Sequence, residues 1–288
     1  MVKTCVYILS GDLYILIGTI PAGLGNLPLI VLQVAQNLLS GTIPNTLCNL
    51  YKTATRLSMQ VNNLEGTLPN CFKNFTLLQY LDVNDNMLSG VLPASIVSLS
   101  KLIVLYVKSN KFKGSIDMFH DMKEWPYCTR FDLSENKLLG NLNYSNVFTR
   151  LSNVRTIDLS SNCLSGSLPS SICSLSQLNS LSLNGLSSKC GKQFNPLGLF
   201  KAPFYKNSIG GMLPCIWEMP SLKNLFLSGN LMTGSLSSVR FPNSSLLRSV
   251  SLTSNYFTGE LSQDLRTRWF HDLDLRYLYN LFILIKIT

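Results

Sequence analysis

Residues 32–44 read LQVAQNLLSGTIP, and the same frame returns as LSMQVNNLEGTLP at 57–69 and LDVNDNMLSGVLP at 81–93. One asparagine, one glycine, one proline and four aliphatic positions keep their places in all three. The asparagine continues down the chain as Asn37, Asn62, Asn86, Asn110, Asn136, Asn162, Asn207, Asn230 and Asn255. Its steps are 25, 24, 24, 26, 26, 45, 23 and 25 residues. A period of this length marks a stack of like coils rather than a closed globule.

Each place in the frame has a physical job. In the L-x-L segment two apolar side chains point inward from a short strand while their neighbours face out. One strand per coil stacks on the next at about 4.8 Å, so ten to eleven coils predict a parallel sheet on the order of 50 Å long. Asparagine suits the bend after the strand because its amide both donates to and accepts from backbone groups that the bend leaves unpaired. Gly41, Gly66, Gly90 and their successors fit a tight turn, and Pro44, Pro69, Pro93, Pro169 and Pro214 stiffen the exit to the outer side. The step of 45 residues is close to two periods and reads as a degenerate repeat over about residues 184–206. An island inserted into one coil is the alternative.

This pattern resembles the plant-type leucine-rich repeat, L-x-x-L-x-L-x-x-N-x-L-x-G-x-I-P, over nearly the whole chain. The resemblance implies an α/β repeat fold, a curved, right-handed leucine-rich-repeat solenoid with its parallel sheet on the concave face. Residues 1–288 are expected to form a single leucine-rich repeat domain. It also implies the extracellular part of a receptor-like protein or receptor-like kinase, which binds peptides, glycans or partner proteins and can work with a co-receptor. The expected location is the plasma membrane, extracellular side, with any membrane anchor on a segment outside this chain. A secreted inhibitor of cell-wall-degrading enzymes, similar to polygalacturonase-inhibiting proteins, is the alternative. Proline is replaced by Asp117, Asn143, Ser237 and Ser262 in four copies. The cysteine-paired caps usual in the family are not visible, and both ends fall inside the repeat pattern, so a fragment is expected.

Composition agrees with coils that turn leucine inward and Ser, Asn and Gly outward. The 288 residues are 46% hydrophobic but only 14% charged, with a net charge of +9. The 24 basic residues run from Lys3 to Lys286 instead of gathering on one stripe, which argues against nucleic acid. No run of 18 or more apolar residues is present. The eight cysteines lack the close pairing of a zinc site and are read mainly as small core residues.

No cofactor and no metal is expected, nor catalysis. The two histidines, His120 and His271, lie about six coils apart, and catalytic groups must converge within hydrogen-bond reach. Recognition is assigned to outward residues of the strands in the middle of the arc: Tyr80, Asp82, Tyr106, Lys108, Arg130, Asp132 and Asp158. Exposed aromatics mixed with opposite charges are what binding hot spots prefer. For Asp132 and Asp158 a plain solvated strand position is the competing reading. Asn74, Asn143 and Asn243 begin N-x-S/T sequons and are candidate glycosylation sites.

Overall fold

The computed structural model describes residues 15–144, 146–185, 208–210 and 212–278. Ten three-residue strands form one parallel sheet in simple sequence order. They are β1 (Val31–Gln33), β2 (Arg56–Ser58), β3 (Tyr80–Asp82), β4 (Val104–Tyr106) and β5 (Arg130–Asp132), followed by β6 (Thr156–Asp158), β7 (Ser180–Ser182), β8 (Asn224–Phe226), β9 (Ser249–Ser251) and β10 (Asp272–Asp274). Register keeps like positions side by side: Leu57 beside Leu81, Leu81 beside Leu105, Phe131 beside Ile157. A second parallel sheet of eight strands runs alongside, from Ile17–Thr19 to Ser208–Gly210. Short 3₁₀ segments such as Ala94–Ser98 and Ser170–Ser174 cover the outer side. Between the layers lies one continuous aliphatic core, filled out by Phe119, Trp125 and Phe131 in edge-to-face contact. This is the stack of like coils that the periodicity predicts, with the parallel inner sheet that the leucine-rich-repeat resemblance implies.

The asparagines bind each coil to the one before it. The Asn110 amide nitrogen lies 3.2 and 3.0 Å from the carbonyls of Val107 and Lys108 in its own coil, and 2.9 Å from the Val83 carbonyl of the preceding coil. Its oxygen accepts the Leu88 N–H, also of the preceding coil, at 3.0 Å. Asn62, Asn86, Asn136, Asn162 and Asn255 repeat the arrangement. Asn37 accepts from Leu16 N–H, and Asn230 donates to the Leu183 carbonyl. Asn207 lies outside the described residues.

The bend that aims these amides has a backbone signature. The residue before the asparagine is left-handed in each described coil from Asn37 to Asn162 and again in the last two. Gln36, Val61, Asp85, Ser109, Glu135, Ser161 and Ser254 sit at φ of 52–56°, and Gly229 at 68°. A β-branched residue is costly there, at about 1–2 kcal/mol, and Val61 tolerates it because Asn62 ties the bend on both sides.

Two expectations are corrected. Strand β7 pairs directly with β8, Leu181 beside Leu225, so no strand of a further coil stands between them. Asn230 reaching back to Leu183 repeats, across 47 residues, the bond that Asn110 makes across 27. The long step is therefore one coil carrying an insertion between its inner strand and Ser208, not a degenerate repeat; residues 186–207 themselves lie outside the described ones. The cysteines are also not mainly core residues. Cys48 bonds to Cys71 and Cys173 to Cys215, with Cα atoms 5.8 and 5.9 Å apart, and Cys163 is disulfide-bonded as well. Each of the two pairs staples neighbouring coils on the outer side. By loop-closure entropy such links contribute about 3–4 kcal/mol each. Cys128 alone among the described cysteines is a free, buried thiol.

The missing prolines have a local explanation. Without proline the backbone N–H returns at that place and needs an acceptor. Ser115 Oγ accepts the Asp117 N–H at 3.0 Å, Asn141 Oδ1 the Asn143 N–H at 3.0 Å, and Ser235 Oγ the Ser237 N–H at 3.2 Å. In the fourth copy the Ser262 N–H donates to the Leu236 carbonyl at 3.1 Å. Ser115→Ala and Asn141→Ala should each lower unfolding free energy by about 1 kcal/mol in chemical denaturation. Thr67→Ala, at the same place in a coil that keeps its proline, should be near neutral.

Candidate ligand-binding face

Register places the outward residues of β2 to β6 in adjacent rows. The row before the inward leucine reads Arg56, Tyr80, Val104, Arg130, Thr156, and the row after it reads Ser58, Asp82, Tyr106, Asp132, Asp158. Neighbouring members of a row are thus about 4.8 Å apart, close enough for side chains to touch.

Four of them form a chain across the coils. The Arg56 guanidinium lies 3.9 Å from the centre of the Tyr80 ring. Tyr80 and Tyr106 meet edge to face, with centroids 6.3 Å apart. Arg130 Nη1 is 3.5 Å from the Tyr106 hydroxyl, at the long end of hydrogen bonding. Arg56 and Arg130 are exposed and the two tyrosines half-buried, so the rings are held on edge while the cations remain free to meet a ligand. Arg56 was not among the sequence candidates, although it stands one place before Leu57 just as Tyr80 stands before Leu81.

The acids beneath are more enclosed than a solvated strand position would be. Asp82 is buried, taking the Tyr80 hydroxyl at 3.1 Å and the Asn84 N–H at 3.1 Å. Burial raises its carboxyl above the usual range and pushes the Tyr80 hydroxyl up to about 12, the Asp82 charge adding to the latter. Asp132 and Asp158 stand side by side in register, each accepting the N–H and hydroxyl of the serine two residues on, Ser134 and Ser160, at 2.9 and 2.6 Å. Burial, then the Asp158 charge, lifts Asp132 to about 6, and burial raises Asp158 too.

Lys108 faces this pair and bonds Glu135 Oε1 at 3.2 Å. Burial alone would lower its ammonium; the bond to Glu135 and the charges of Glu135, Asp132 and Asp158 outweigh it and raise it. Glu135, the second contributor not anticipated, projects from the left-handed place before Asn136. All seven sequence candidates therefore share one surface, with Arg56 and Glu135 completing it.

Elsewhere the expected features separate. His120 lies against Asn146 and His271 against Trp269, in different coils. Among the described residues no group of three or more His, Cys, Asp or Glu side chains could hold a metal, and no helix is long and apolar enough to cross a membrane. Asn74, Asn143 and Asn243 are all exposed, and Asn143 Oδ1 also accepts the Ser167 hydroxyl at 3.0 Å.

The paired acids give this face a pH response. A carboxyl raised in the fold binds its proton more tightly there than in the unfolded chain, so stability falls as pH rises from about 4 through about 6. Asp132→Asn keeps the acceptor for Ser134 and removes the charge. It should raise stability by about 1 kcal/mol at pH 7, leave it unchanged near pH 4, and flatten the slope between them in pH-dependent melts.

The Leucine Rich Repeat family profile matches residues 77–99 and 153–175. Receptor-like protein 39 of Arabidopsis thaliana is 30% identical over 227 residues, which is 73% of this chain and 24% of that protein. The chain thus spans about a quarter of that relative's length. Among solved structures, the ectodomain of the Arabidopsis receptor kinase HAESA, in complex with an N-terminally extended IDA peptide hormone, superposes with a TM-score of 0.75 and 26% identity. That match covers 93% of this chain and 40% of the solved ectodomain chain. A plant ice-binding protein superposes at 0.67 with 26% identity, over 91% of this chain and 79% of its own. The frame of asparagine, glycine and proline, the paired parallel sheets and these matches agree: the chain is a leucine-rich-repeat solenoid, and in sequence it is similar to plant receptor-like proteins.

Proposed function

We propose that the chain is the recognition part of a plant cell-surface receptor and binds an extended peptide along the central arc of its inner face. The observation that carries this reading is the chain of Arg56, Tyr80, Tyr106 and Arg130 across four adjacent strands. Aromatic rings and guanidinium groups supply most of the energy where proteins grip partners, because they offer large contact area with little freedom to lose. Here the rings are already fixed by one another and by Asp82, so little ordering is needed on binding. Arg56 and Arg130 offer charge for acidic or carboxylate groups of the peptide, while Asp132, Asp158 and Glu135 disfavour a strongly acidic segment at the Lys108 end.

The HAESA complex supports a peptide as the class of ligand, and recognition without catalysis is in keeping with the separated histidines. The disulfides suit an oxidising, extracellular setting, in which Asn74, Asn143 and Asn243 would carry glycans clear of the arc. An associated co-receptor would bind outside the central rows. The alternative of a secreted inhibitor of a cell-wall-degrading enzyme would use the same face, and an inhibition assay against polygalacturonase separates the two.

The test is peptide selection on the purified chain with a displayed random library, followed by affinity measurement on variants. Tyr80→Ala or Arg56→Ala should weaken selected peptides about tenfold to a hundredfold, with the fold intact by melting. Selected peptides that bind both variants as tightly as the parent chain would overturn the assignment.

A further inference from the structure

The second parallel sheet is interrupted toward the C-terminal end. Its eight strands stop at Ser208–Gly210, and the next strand of that layer, Thr233–Ser235, belongs to a separate two-stranded sheet with Tyr256–Thr258. Within the eight strands the glycine of each coil lies close against the coil before it. A Cβ built at Gly66 or Gly90 would fall 2.9 or 2.7 Å from the threonine there, Thr42 or Thr67. At Gly234, the same place in Thr233–Ser235, a Cβ would meet nothing within 4 Å. A cavity of about 180 Å³ occupies the opening, lined by Met212 and Trp217 of one coil, Thr233 and Gly234 of the next and Phe257 of the one after. Ser238 also lines it, and like Thr233 and Gly234 it is exposed, so the cavity opens to solvent. No charged side chain takes part in the lining.

Trp217 brings an unused donor to this cavity. The residue is only 5% exposed, yet its indole N–H has no hydrogen-bond partner among the described residues. The other buried tryptophan, Trp125, donates its N–H to the Val97 carbonyl at 3.3 Å, as a buried indole normally does. The Trp217 ring is also held in place before any ligand arrives. Its 3₁₀ segment, Pro214–Glu218, is tied to another coil through the disulfide of Cys215 with Cys173. Phe241 meets the ring edge to face, with centroids 5.7 Å apart. The result is a preformed, largely apolar slot with one fixed donor beside it, which lowers the ordering that binding would require.

We propose that this cavity binds a small, neutral, one-ring aromatic molecule that carries a hydrogen-bond acceptor, such as an aryl ketone. Volume sets the size, since an apolar cavity of about 150 Å³ holds benzene. The uncharged lining sets the charge, because an ion would give up its hydration with no opposite charge to meet it. A flat ring can pack against Phe257 and Trp217 in the offset or edge-to-face arrangements that aromatic groups prefer. Its acceptor would take the Trp217 N–H. The site shares no residue with the arc from Arg56 to Arg130 and does not depend on the peptide reading of that arc.

The experiment titrates the purified chain with acetophenone and with ethylbenzene, which matches it in shape and lacks the oxygen. NMR follows the indole N–H signals of the three tryptophans and the methyl signal of Met212. Acetophenone should bind with a Kd of about 1 mM or tighter, shifting the Trp217 signal downfield while that of Trp125 stays in place. In Trp217→Phe, read at Met212, affinity for acetophenone should fall about threefold to tenfold and affinity for ethylbenzene should not fall. Ser238→Phe, at the exposed edge, should weaken both ligands by blocking the opening. Melting curves verify that the variants fold. No shift at Trp217, or an equal shift at the exposed Trp269, would overturn the proposal. So would a Trp217→Phe variant that binds acetophenone like the parent or loses both ligands equally, or binding that Ser238→Phe leaves unchanged.

Discussion

Everything in this molecule depends on one side chain repeated down one edge of the stack. A solenoid has no closed core, so each coil is stable only to the extent that it is held by its neighbours. The buried asparagine supplies that hold in both directions at once. Its nitrogen closes the bend of its own coil and reaches a carbonyl of the coil before, and its oxygen takes an N–H of that coil. An aspartate would lose the donor and an aliphatic residue both functions, leaving buried backbone groups unpaired at about 1–3 kcal/mol each. The left-handed residue in front, even where it is Val61, follows from the geometry that this amide requires.

The inner face is a consequence of the same constraint. Because the amides fix the stagger of successive coils, outward residues fall into straight rows, and residues some 24 positions apart become neighbours. Arg56 meets Tyr80 and Asp132 meets Asp158 for this reason alone. The scaffold by itself does not choose a ligand. The rows differ in what they present: aromatic and guanidinium groups near the middle, hydroxyls bordered by exposed cations toward the C-terminal end.

Much of this is legible in the sequence, because the coil is a short-range pattern repeated in register. Counting from Asn37 predicts the strands, the core leucines and the seven central residues. Arg56 is equally legible in its row, one place before Leu57. Three features lie beyond what spacing can reveal. A step of 45 residues fits two periods or one period with an insertion, and only the pairing of Leu181 with Leu225 decides between them. Cysteines 23 and 42 residues apart become partners because one coil brings them to adjacent places on the outer side. The enclosure of Asp132, which turns a commonplace strand acid into a perturbed one, arises from neighbours contributed by other coils.

The central claim is that the asparagine ladder couples coil to coil, and Asn136→Ala tests it most directly by amide hydrogen exchange. Asn136 accepts the Phe112 N–H, 24 residues away in the preceding coil, at 3.0 Å. The account predicts that exchange at Phe112 accelerates along with amides in the coil of Asn136, and that global stability falls by about 2–3 kcal/mol. Unchanged protection at Phe112 and a stability loss below about 0.5 kcal/mol, the size of an ordinary surface substitution, would contradict it.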